Sequence, residues 1–127
     1  MITISDRSNT TNGLPVGQFL DILLECSNIC SDEIVDVVRI GGVGKQIWER
    51  ESKIDQGDRV KVSIAQLKQI VSDPSESLED LLCVADSVTF GLSDSSFLFV
   101  QSTDKNLEDQ IARRFQNVTL LSDRLLS

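Results

Sequence analysis

Residues 87–102 read SVTFGLSDSSFLFVQS. Val88, Phe90 and Leu92 alternate with Thr, Gly and Ser, the period of a strand with one buried face. Phe97, Leu98, Phe99 and Val100 form an unbroken apolar run, which suits a central strand covered on both faces. Between them stand Ser93, Asp94, Ser95 and Ser96, side chains that bond to their own backbone and so favour turns. The stretch predicts a β-hairpin with a four-residue loop. Downstream, Leu107, Ile111 and Phe115 recur at i, i+4 and i+8, which predicts an amphipathic helix over about 104–116 with Arg113 and Arg114 in its last turn.

Upstream the pattern is mixed. Ser63 precedes Ile64, Leu67, Ile70 and Val71, a capped helix that Asp73-Pro74 ends. Ser75 is read as opening a further short helix, with Leu78, Leu81 and Leu82 inward and Glu76, Glu79 and Asp80 outward near its N-terminus. Val60 and Val62 alternate with charged residues, a half-buried strand. Residues 33–40, EIVDVVRI, fit helix or strand, and the β-branched content favours strand. Gly41, Gly42 and Gly44 then break the chain, and residues 45–51 are read as a strand. Apolar positions from Pro15 onward, including Phe19, Leu20 and Leu23, predict a helix over about 15–29. Ile2 and Ile4 suggest a short first strand, and Val118 to Leu121 a last one.

Helices before, between and after the strands, with one tight hairpin, imply an α+β fold. The expected architecture is a mainly antiparallel sheet with a C-terminal β-hairpin followed by an amphipathic helix, helices packed on the sheet. A length of 127 residues suits one domain, 1–127, with 1–14 loosely ordered.

Lys plus Arg is 12 and Asp plus Glu is 20, a formal charge of −8. The excess is concentrated. Between Lys68 and Lys105 there is no base, and Asp73, Glu76, Glu79, Asp80, Asp86, Asp94 and Asp104 stand in that gap. Such a chain is a poor ligand for nucleic acid or anionic membranes, which need Lys and Arg. It suits a basic partner. No apolar run approaches the ~20 residues that cross a bilayer. The polar N-terminal stretch has no signal-peptide pattern, which points to the cytoplasm.

Catalytic signatures are missing. The chain has no His, so a serine triad of the usual kind is ruled out for Ser93, Ser95 or Ser96. Gly41-Gly42-Val43-Gly44-Lys45 lacks the spacing and the Ser/Thr of a phosphate loop. Cys26 and Cys30, four apart, would share one helical face; with Cys83 they are too few for a metal set, and core packing is the expected role. The Asp spacing does not match a calcium loop. Trp48 fits either an interface or the core. No cofactor and no metal are expected.

Residues 88–115, VTFGLSDSSFLFVQSTDKNLEDQIARRF, form a hairpin that runs directly into a helix. With the small size, the acidity and the missing catalytic residues, the chain resembles the small immunity proteins paired with bacterial polymorphic toxins, including those of contact-dependent growth inhibition. The resemblance implies a non-enzymatic inhibitor, a monomer when free, whose acidic surface occupies the basic cleft of a cognate toxin nuclease, an RNase foremost. The expected contact set is Asp73, Glu76, Glu79, Asp80, Asp86 and Asp94. The alternative reading is an acidic secretion chaperone or adaptor that holds an effector, commonly as a dimer. An enzyme is the third class.

Overall fold

The computed structural model describes residues 1–7, 14–85 and 87–121. Its centre is the hairpin. Strand β5 (Val88–Ser93) pairs with β6 (Phe97–Ser102), with Phe90 opposite Val100 and Ser93 opposite Phe97. Asp94 and Ser95 turn the chain at positive φ, 49° and 57°, and Ser96 N–H donates to Ser93 O at 2.8 Å. Asp tolerates this backbone better than most side chains.

Around the hairpin the described residues form a seven-stranded antiparallel sheet with four helices, an α+β fold. The other strands are β1 (Ile2–Ile4), β2 (Ile34–Val43), β3 (Val60–Ser63), β4 (Ser77–Ala85) and β7 (Val118–Leu120), in the order β3-β2-β4-β5-β6-β1-β7. The helices are α1 (Val16–Cys26), α2 (Lys45–Asp55), α3 (Ile64–Ser72) and α4 (Lys105–Ala112). Helix α4 follows the hairpin but is not the last element: β7 comes after it and forms an edge of the sheet.

One face of the sheet carries the core. Ile4, Leu81, Phe90, Leu92, Leu98 and Val100 are buried there against Phe19 and Leu23 of α1, Leu67 and Ile70 of α3, and Leu107 and Ile111 of α4. Alternation sends their neighbours to the other face. There Ile34, Val38 and Val84 are exposed, and Phe99 is buried across Gly91, whose absent side chain makes the room.

Four expectations are corrected. Residues 45–51 are helix, not strand. Ile47 and Ile54, seven apart, put one stripe against the core. The segment after Ser75 is strand β4, not helix. Leu81 and Cys83 point into the core while Leu82 and Val84 point out, the period of two that pairing with β2 and β5 enforces. The glycines do not break β2, which runs on to Val43. At Gly42 a Cβ would lie 2.1 Å from Ser77 O, so only Gly lets β4 approach. Finally, α1 stops at Cys26, because Ser27 is extended and its Oγ accepts from Ile29 N–H at 3.2 Å. That side-chain bond replaces helical continuation. Cys26 and Cys30 therefore share no helical face, and Cys30 is exposed rather than packed in the core. The capped helix read at Ser63 is present as a reciprocal capping box with Gln66.

Candidate functional site

The acidic block meets the structure at one end of the sheet. Strand β4 begins there, β2 ends there with Val43 opposite Ser77, and the β5–β6 turn folds back onto β4. Asp94 N–H donates to Asp80 Oδ1 at 2.9 Å, and Ser95 N–H donates to Glu79 O at 2.8 Å. Glu79, Asp80 and Asp94 are thus neighbours. Glu79 and Asp94 are exposed and Asp80 is half-buried. None of the three has an ion-pair partner among the described residues. One cation stands at the rim: the Arg7 guanidinium donates to Ser95 O and Ser96 O at 3.0 and 3.4 Å.

Asp73 and Glu76 are placed differently. Glu76 is buried at 8% exposure beneath the start of α2. Its Oε1 accepts from Gln46 N–H at 2.7 Å and its Oε2 from Ile47 N–H at 3.4 Å. Helix α2 has no cap from its own Gly44, so a carboxylate remote in sequence answers its N-terminal donors and its dipole. Asp73 accepts from Ser75 N–H and Ser75 Oγ–H at 2.9 and 2.7 Å, and from Gln46 Nε2–H at 3.4 Å. The Ser75 amide and hydroxyl, with Gln46, hold its carboxyl below the usual carboxylate range. Both residues tie the α3–β4 junction to α2. Asp86 lies outside the described residues, and Ala85 before it ends β4, roughly 25 Å along the strand from Ser77 at the usual rise.

The structure adds three residues to this end. Trp48 and Val43 are 65% and 63% exposed. Glu51, one turn beyond Trp48 on α2, brings its Oε2 to within 3.3 Å of where a Gly41 Cβ would stand, on the side that Asp80 also faces. The missed signal was the Ile47–Ile54 stripe, which leaves Trp48 off the buried face once α2 is a helix.

Elsewhere, a pocket of about 310 Å³ is lined by Cys26, Ile29, Ser87 and Asp104, at the opposite end of β5 from Asp94. Cys83 is fully buried, and burial pushes its thiol up to about 12, so it is inert as a nucleophile in the folded chain. Among the described residues no group of three or more Cys, Asp and Glu side chains is arranged to hold a metal, and no helix is long and apolar enough to cross a membrane. Comparison with protein-family models, curated proteins and solved structures returned no match.

Proposed function

We propose that this chain is a non-enzymatic immunity protein, of the kind that serves polymorphic toxins and contact-dependent growth inhibition. In this reading it acts in the cytoplasm, as a monomer until it meets its toxin, and blocks a basic toxin domain with RNase activity. The observation that carries the reading is the pairing of charge with exposed apolar surface. Among the described residues Glu79, Asp80 and Asp94 have no ion-pair partner, at the sheet end where Val43 and Trp48 are exposed. Carboxylates at such a site steer a basic partner and raise the association rate. An exposed Trp supplies the kind of anchor in which interfaces concentrate their energy once a partner desolvates it. The contact set becomes Glu79, Asp80, Asp94, Glu51 and Trp48. Asp73 and Glu76 support it from beneath.

Co-expression with a toxin domain encoded beside its gene tests the proposal. Protection and a stable complex are expected. Glu79→Lys with Asp80→Lys should slow association at low salt, and Trp48→Ala should speed dissociation. Absence of both complex and protection would remove the proposal.

One observation favours the secretion-chaperone reading instead. Ile34, Val38 and Val84 are exposed on the face of the sheet opposite the main core, an apolar strip that a dimer would cover. A stable dimer in solution, seen by mass measurement, would favour that reading over the first.

A further inference from the structure

The chain's bases are not evenly scattered. Arg50 and Lys53 of α2 stand one turn apart, and Arg59 and Lys61 stand two apart at the start of β3. The four line one groove of about 250 Å³ between these elements, with Gln66 and the single carboxylate of Glu49. In a chain with a formal charge of −8, this wall is locally cationic. Its charges are largely unanswered. Arg50, Lys53 and Arg59 have no carboxylate within ion-pairing distance among the described residues. Lys61 reaches Asp36 only at 3.8 Å, with both side chains about half exposed. Among the described residues the Arg50 guanidinium makes one bond, to Gln46 O at 3.1 Å, out of five available donors.

The floor of the groove is an open sheet edge. Strand β3 pairs with β2 on one side and is the terminal strand of the sheet. Ser63 N–H is turned away from β2 and donates to Gln66 Oε1 at 2.9 Å. Main-chain direction alternates along an antiparallel strand. Lys61, two residues back, therefore also presents its N–H and C=O away from β2, along the groove. An isolated phosphate uses donors only. An extended peptide uses a donor and an acceptor together, and its alternate side chains fall on one side, at the spacing of Arg59 and Lys61.

We propose that the groove between α2 and β3 is a second binding site, opposite in sign to the first, that takes an extended acidic polypeptide segment as an added strand on β3. Main-chain bonds to Lys61 set the register. Arg59 and Lys61 meet alternate carboxylates, while Arg50 and Lys53 close the opposite wall. The site stands independently of the immunity reading, since it uses none of the same residues.

The probe is a short fluorescent peptide alternating Glu and Val, compared with the same peptide carrying Gln for Glu. The acidic peptide should bind, more weakly as salt is raised, and should shift the Lys61 amide resonance. Lys53→Glu with Arg59→Glu, both at exposed positions, should weaken binding by about tenfold or more while far-UV circular dichroism stays unchanged. Lys53→Glu alone, the milder variant, should weaken it in the same direction. Equal binding of the Gln peptide, insensitivity to both variants, or resonance shifts confined elsewhere would overturn the proposal. So would binding of inorganic phosphate or a single-stranded oligonucleotide in place of the peptide.

Discussion

Replacing Glu76 by Ala should cost the fold more than any other carboxylate change at the acidic end. The carboxylate makes one short bond to Gln46 N–H at 2.7 Å and one longer to Ile47 N–H at 3.4 Å. A hydrogen bond to a charged group contributes roughly 1.5–3 kcal/mol. A charge at a partly buried helix terminus contributes up to about 2 kcal/mol, a quantity that overlaps with the bond itself. The second bond is too long to count in full. The expected loss is about 3 kcal/mol for Glu76→Ala. Glu76→Gln keeps an oxygen for Gln46 but sets its amide group against the Ile47 N–H, and should lose about half as much. Urea unfolding reads this directly, because Trp48 is the only Trp and sits on the helix concerned. With a urea slope of ~1–3 kcal/mol per molar, the Glu76→Ala midpoint should fall by about 1–3 M. A midpoint that implies a loss under about 0.5 kcal/mol would refute the assignment of Glu76 as the cap of α2.

Other parts of the structure make equally definite statements. Glu108 is buried at 2% exposure, with the Met1 ammonium 3.1 Å from Oε1, and Ser102 N–H and Lys105 Nζ on Oε2. Glu108→Gln takes the negative charge out of this buried cluster and should destabilise by about 3 kcal/mol, read by calorimetry; an unchanged melting temperature would contradict the pair. Gly91→Ala places a Cβ 1.9 Å from Leu81 O, which the sheet cannot relieve by moving a side chain. A loss of about 2–3 kcal/mol in chemical denaturation is expected, and a variant as stable as the parent would show that β4 and β5 are not so close. Thiol labelling followed by mass spectrometry should find Cys30 modified in the native protein and Cys83 only after unfolding. Equal native rates would show that Cys83 is not in the core.

The elements read correctly from sequence were those whose information is local. The hairpin at 88–102 carries its own period and its own turn residues, and α3 carries its own cap in Ser63 and Gln66. The elements misread depend on distant residues. Helix α2 has only Gly44 before it and takes its cap from Glu76, thirty positions along. Strand β4 contains three leucines at spacings that also suit a helix, and its alternation is decided by β2 and β5 on either side. The candidate site fared likewise. Charge along the chain marked the end of the sheet where the fold brings Glu79, Asp80 and Asp94 together. It had no means of separating these from Glu76, whose charge is spent inside the fold. Trp48 and Val43 became visible as surface only once α2 and the end of β2 were in place.

The position of β1 bears on how the chain reaches its native state. Ile2 pairs with Val100 and with Leu120, so the first strand waits for two of the last. Pairings of such separation are slow to form, because loop closure must precede any gain from contact. Until β1 arrives, one edge of β6 stands open, and that edge runs through Phe97, Leu98, Phe99 and Val100. A flat, apolar, uncharged edge is the template on which chains add to one another. The hairpin most legible in the sequence is thus the segment most exposed to misassembly during synthesis. Refolding yield should fall with protein concentration far more steeply when Ile2 and Ile4 are replaced by Lys than when the opposite edge strand, β3, carries the same change at Val60.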